Sequence, residues 1–186
     1  NVQAEGRVLR HGQERDVQFI DFVTRDTVES RVHEALAYKE DTMQDIRNKP
    51  QGMSPSNKAL VISKAAHAGQ TRKGTNQPYI IHPYSVYGNL LPYTNDESTL
   101  AAALLHDVLE DVDPTRYSEQ HMREDFGNDI VSIVKLVTKD KTITNWRQSN
   151  QSYLDKLWAT NDERALLVSA SDKLDNLSTS LHDHAR

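Results

Sequence analysis

From Ser56 onward, apolar residues recur every three or four positions, the period of helices with one face turned inward. Leu60, Ile62, Ala65 and Ala66 mark a helix over 56–68, and a short second helix is predicted over 83–91. The run from Asp96 to Leu105 is acidic at its start and then rich in Leu and Ala, which predicts a helix beginning near Asn95 and stopped by Val112-Asp113-Pro114. Residues 118–126 and 129–137 form a helical pair around Gly127, residues 139–148 a polar connection, and helices over 153–158 and 161–184 close the bundle. The pattern before Ser56 is different. Asp16 to Val23 alternates, with β-branched and aromatic residues, as a strand does, and residues 24–47 read as a polar helix striped by Val28, Val32, Ala35 and Leu36. The predicted fold is mainly α: a helical bundle carrying a small N-terminal strand-helix appendage.

Lys49-Pro50-Gln51-Gly52-Met53-Ser54-Pro55 separates the two patterns, because Pro and Gly break the first helix and Ser54-Pro55 supplies an N-cap and first position for the next. The expected organisation is an appendage over 1–48, a linker over 49–55 and the bundle over 56–186, with Met53 placed as the start of a free-standing protein would be. The chain opens on Asn1 and stops at Arg186 inside a helical pattern, so it reads as a fragment open at both ends.

Composition narrows the partners. The 186 residues carry a formal net charge of −5, which argues against a broad nucleic-acid surface on the bundle and requires that a polyphosphate ligand find its cations locally. There are no cysteines, which excludes disulfides and thiolate metal ligation and is compatible with a reducing, cytoplasmic setting. No run approaches the length of a membrane span, so no membrane partner is expected.

The chemistry gathers around Leu104-Leu105-His106-Asp107-Val108-Leu109-Glu110-Asp111. On a continuous helix His106, Asp107, Glu110 and Asp111 fall within an arc of roughly 140°. An adjacent His and Asp can hold a divalent cation, and carboxylates one turn on can orient or deprotonate a water beside it. The octet alone fits a solvated helix end equally well. Two side chains under-coordinate an ion, however, and His82 before Pro83 and Asp172 within an otherwise apolar helix can complete the set. Mixed imidazole and carboxylate ligands suit Mn²⁺.

The order His, His-Asp, Asp with long helical spacers is the pattern of HD-type metal-dependent phosphohydrolases. Together with Ala66-His67-Ala68-Gly69-Gln70-Thr71-Arg72-Lys73, Pro78-Tyr79-Ile80-Ile81-His82-Pro83 and Asp172-Lys173-Leu174-Asp175-Asn176, it resembles the hydrolase domain of the RelA/SpoT family, its small single-domain alarmone hydrolases in particular, from about Met53 onward. The resemblance implies an HD-domain bundle, Mn²⁺ held by His82, His106, Asp107 and Asp172, and hydrolysis of the 3′-pyrophosphate of (p)ppGpp, a small nucleotide substrate. Glu110 and Asp111 match a pair implied to position and deprotonate the attacking water, the alternative being a structural helix surface. Arg72 and Lys73 match a pair used against the nucleotide, and Asn176 and Thr179 would face the ribose unless they are simply a polar helix face. His67 is read as a packing residue, and His121, His182 and His184 as surface residues.

Three features depart from the family. The Arg-to-His spacing from Arg72 to His82 is ten, one longer than usual, with Gly74 to Gln77 between them. Ser149 and Asn150, in Trp146-Arg147-Gln148-Ser149-Asn150, replace two cations of a related motif, which implies weaker phosphate affinity or another substrate. A general nucleotide or dinucleotide phosphohydrolase, and a nucleotide-binding module without turnover, therefore remain rival readings. Finally, residues 1–48 resemble the C-terminal end of Swi/Snf-type helicase-like ATPases, on Gln3, Arg7, Arg10, Gly12 and Gln13 followed by the strand and helix. By that likeness Arg7 and Arg10 would reach an ATP γ-phosphate, but no phosphate-binding glycine loop is present to hold ATP. Nucleic acid would be a partner only through a missing upstream helicase region; the other reading is an unrelated appendage.

Overall fold

A computed structural model describes residues 53–73 and 77–184. Over these residues the protein is a bundle of seven α-helices: α1 (Pro55–Ala66), α2 (Ile81–Leu90), α3 (Glu97–Leu105), α4 (Val108–Asp111), α5 (Glu119–Val137), α6 (Trp146–Thr160) and α7 (Glu163–His184). The only β-pairing among the described residues is an isolated antiparallel bridge between Thr71 and Pro78. The readings for residues 1–48 and for the first four linker residues lie outside the described residues. No helix among the described residues is long and apolar enough to cross a membrane.

Helix α3 is the axis. Asp96 caps it by accepting the Thr99 amide at 2.9 Å and its hydroxyl at 2.6 Å, and Thr99 to Leu105 are all buried. Because Ala101, Ala102 and Ala103 are small, α1, α2, α5 and α7 can all approach it. Leu104, Leu105, Val86, Ile62, Ile133 and Val134 fill the space between them. Each large side chain buried here contributes about 1.5–3 kcal/mol, whereas an exposed pair such as Arg123–Glu119 contributes roughly 0–1 kcal/mol. The apolar core, not surface charge, therefore fixes where α3 ends and its functional residues stand.

Ser54 caps α1 through the Asn57 amide with Pro55 at the first position, and Gly127 (φ 77°) kinks α5 where the sequence predicts a paired helix. Three expectations change. The His106–Asp111 stretch is not one helix: α3 ends at Leu105, and Asp107 (φ −92°, ψ −8°) begins the separate short α4. Helix α6 begins at Trp146, capped by the Asn145 side chain, so most of the predicted polar connection's second half is helical. Helix α2 begins at Ile81, which puts His82 inside its first turn, where Pro83 costs no intrahelical hydrogen bond.

Candidate metal centre

Four helix ends and faces converge. The first turn of α2 supplies His82, the C-cap of α3 supplies His106, the start of α4 supplies Asp107, and the middle of α7 supplies Asp172. His82 Nε2 lies 3.4 Å from Asp107 Oδ2 and 3.2 Å from Asp172 Oδ1; His106 Nε2 lies 3.0 and 3.8 Å from the same two oxygens. The four predicted ligands thus stand side by side, each imidazole Nε2 within 3.8 Å of an oxygen of both carboxylates. Among the described residues, His82, His106 and Asp107 form the group whose donor atoms lie within 4.8 Å of one another.

The donor set fits a divalent cation. The Ala103 carbonyl, 2.8 Å from His106 Nδ1, can only accept, so it fixes the proton there and leaves a lone pair on Nε2. That Nε2 is buried with no hydrogen-bond partner, as expected of an atom whose partner is an ion. Asp175 accepts from His82 Nδ1 at 2.7 Å and orients the second imidazole in the same way. The electrostatics agree. Burial opposes charge on His82, yet its bonds to Asp107, Asp172 and Asp175 raise its pKa to about 11. Burial likewise opposes charge on His106, and Asp107 and Asp172 raise it nonetheless. Asp107 would be pushed up by burial but is held well below the carboxylate range by His106 and His82, and Asp172 is lowered to about 2. The cluster stabilises positive charge at its centre, whether carried by protons or by a metal.

Tyr79 joins the site without having been expected there. Its hydroxyl lies 2.7 Å from Asp107 Oδ2 and 3.1 Å from Asp111 Oδ2, linking a ligand to one of the proposed water-activating carboxylates. Burial and these two carboxylates push its pKa up, so it remains a donor. His67, buried as expected of a packing residue, lies against the Tyr79 ring at 4.7 Å and bonds Gln70 through Nδ1. The one sequence signal for Tyr79 is its place three residues before His82. Asp175 had a stronger signal, one turn beyond Asp172.

The paired carboxylates separate. Asp111 is exposed and reaches the site through Tyr79. Glu110 Oε2 accepts the Lys139 amide at 3.1 Å, while its carbonyl accepts Lys141 Nζ. Both line, with the four ligands, a cavity of about 170 Å³. Tyr79, His82, Asp111 and Asn176 also border a second cavity of about 610 Å³, where Arg72, Lys73 and Thr179 stand. The site residues expected to meet substrate are thus brought beside the metal position. Arg72 is not a free cation: Nη1 meets Asp175 at 3.0 Å and Thr179 at 3.1 Å, and Nη2 reaches Asn176 at 3.4 Å. Asn176 also donates to Asp172 Oδ1 at 2.6 Å. Residues 74–76 of the lengthened loop lie outside the described residues. His121 is a correction: it is half-buried, closing the capping box of α5 with Ser118 rather than sitting free on the surface.

The profile of the HD domain family matches residues 59–186. A guanosine-3′,5′-bis(diphosphate) 3′-pyrophosphohydrolase of Aquifex aeolicus is 37% identical over 145 residues, covering 77% of this chain and 20% of that protein. The bifunctional (p)ppGpp synthase/hydrolase SpoT of Escherichia coli is 35% identical over 127 residues, 65% of this chain and 17% of that one. The chain therefore spans about a fifth of the length of these curated relatives. The solved structure of a metazoan ortholog of SpoT that hydrolyzes ppGpp and plays a role in starvation responses superposes with a TM-score of 0.61 at 32% identity, covering 70% of this chain and 72% of that one.

Proposed function

The chain belongs to the HD domain family, in homology with the RelA/SpoT (p)ppGpp hydrolases, and from that premise we propose that residues 56–186 remove the 3′-pyrophosphate of (p)ppGpp. The observation that supports this reading is the cluster of His82, His106 and Asp107 with Asp172 against both imidazoles, beside two carboxylates and a cavity large enough for a nucleotide.

His82 and His106, through Nε2, and Asp107 and Asp172, through one oxygen each, would hold the ion, proposed to be Mn²⁺. A divalent cation bound there supplies Lewis acidity and charge neutralisation at the phosphorus under attack. Asp175 and the Ala103 carbonyl keep both imidazoles in the ligating tautomer. Asp111, with Glu110 beside it, orients a water and accepts its proton as the water oxygen bonds to phosphorus. The bond from phosphorus to the ribose 3′ oxygen breaks, and that oxygen takes up a proton. Tyr79 holds the Asp111 and Asp107 carboxylates in register. Arg72, immobilised by Asp175, Thr179 and Asn176, offers a fixed guanidinium face on which a purine stacks, with Lys73 for phosphate charge and Asn176 and Thr179 toward the ribose. The proposed setting is the cytoplasm.

Turnover of ppGpp, GTP and NADPH at one fixed Mn²⁺ concentration tests the substrate class. ppGpp is expected to be hydrolysed far faster than the others. Preference for either rival would establish a different nucleotide phosphohydrolase, and inactivity toward all three would favour a binding module. We also assign the activity to the bundle alone. A chain starting at Met53 is expected to keep its turnover; a large loss with unchanged circular dichroism would give residues 1–52 a part in the site.

A further inference from the structure

We propose that Lys139 binds the diphosphate removed from the substrate, an assignment that rests on the hydrolase reading above. The small cavity around the metal position is lined by four carboxylates, Asp107, Glu110, Asp111 and Asp172, and by two lysines, Lys139 and Lys173. Four negative and two positive charges leave a deficit of two, which one divalent cation only cancels. A diphosphate carrying at least two negative charges then enters a neutral pocket and needs a cation free to turn toward it.

Lys173 is not free, because its Nζ lies 2.6 Å from Asp172 Oδ2. Of the lysines outside the pocket, Lys156 donates to the Lys135 and Thr138 carbonyls and Lys141 to the Glu110 carbonyl, while Lys73 stands on the larger cavity instead. Asn150 donates back to the Trp146 carbonyl at 2.9 Å. Among the described residues the Lys139 ammonium makes no ion pair or hydrogen bond; it sits 5.9 Å from the centre of the Tyr153 ring.

Its placement is nevertheless fixed. Glu110 holds the Lys139 amide at 3.1 Å, and the Tyr153 ring beneath the ammonium is anchored by its hydroxyl, 2.7 Å from Ser169. Lys139 and Tyr153 also border a wider cavity of about 560 Å³ on the other side. The lysine thus borders both the metal pocket and this wider cavity. Glu110 acquires a second task, setting the backbone from which this ammonium reaches.

The test is calorimetric titration of inorganic pyrophosphate into wild type, Lys139→Met and Lys139→Arg, with Mn²⁺ in excess over pyrophosphate, alongside titration of Mn²⁺ alone. Lys139→Met is expected to bind pyrophosphate about tenfold more weakly, the scale of one charge-assisted contact. Lys139→Arg keeps most of the affinity, and all three bind Mn²⁺ equally. Wild-type pyrophosphate affinity in Lys139→Met would overturn the assignment, as would a parallel loss of Mn²⁺ affinity, which would make the residue structural. A chain that binds pyrophosphate through Lys139 yet leaves ppGpp intact would overturn the hydrolase reading, and with it the origin of the diphosphate, while keeping Lys139 as a pyrophosphate ligand.

Discussion

Replacing Asp107 with Ala is expected to abolish metal binding and turnover together. Its Oδ2 lies 3.0 Å from His106 Nε2 and 3.4 Å from His82 Nε2 and also accepts the Tyr79 hydroxyl, so one truncation removes a ligand, a negative charge and the anchor of Tyr79. Loss of an outer partner of a metal ligand costs roughly 10–100-fold in affinity, and loss of one ligand in four exceeds that because the remaining imidazoles carry no compensating charge. The check is Mn²⁺ content and calorimetric affinity of the purified variant, with circular dichroism to establish that the bundle is intact. Unchanged metal content would remove Asp107 from the ligand set.

Glu110→Gln combined with Asp111→Asn is expected to separate chemistry from binding. Each replacement amide keeps a carbonyl oxygen, one for the Lys139 amide and one for the Tyr79 hydroxyl, so the local geometry survives the exchange. Proton acceptance does not. kcat is expected to fall by at least roughly 10²-fold, the scale of a lost general base, with KM equal or lower because negative charge beside a polyphosphate has been removed. Steady-state kinetics on ppGpp at saturating Mn²⁺ read both parameters. Near-wild-type kcat would move the proton-accepting role to another residue.

The proposed ligand set was open to reading because its chemistry constrains type and order: two imidazoles and two carboxylates from distant segments, with His82, His106, Asp107 and Asp172 suitably spaced. The helical class was legible from periodicity, and the cap at Ser54 from residue type. Less legible was the break between α3 and α4, since His106 and Asp107 deviate only modestly from helical dihedrals and no Gly or Pro announces it. The first turns of α6 carry no apolar repeat, with Trp146 exposed and Tyr153 the first buried residue, so periodicity could not find them. Lys139 acquires meaning only from tertiary contacts, and Tyr79 and Asp175, though placed near His82 and Asp172 in sequence, acquire their partners from them as well. Arg72 shows the limit most clearly: the sequence marks its type and place, but its engagement with Asp175, Thr179 and Asn176 depends on α7 folding back across more than a hundred residues. The readings for residues 1–48 stand as proposals from sequence.

The central claim is that this four-ligand centre cuts the 3′ side of (p)ppGpp, and phosphorus NMR of ppGpp incubated with the Mn²⁺-loaded protein tests it most directly. The expected result is one GDP and one inorganic pyrophosphate per molecule consumed, with no product when the metal is withheld. Orthophosphate as the first product, loss of the 5′ phosphates, or ppGpp left intact in the presence of Mn²⁺ would contradict the account.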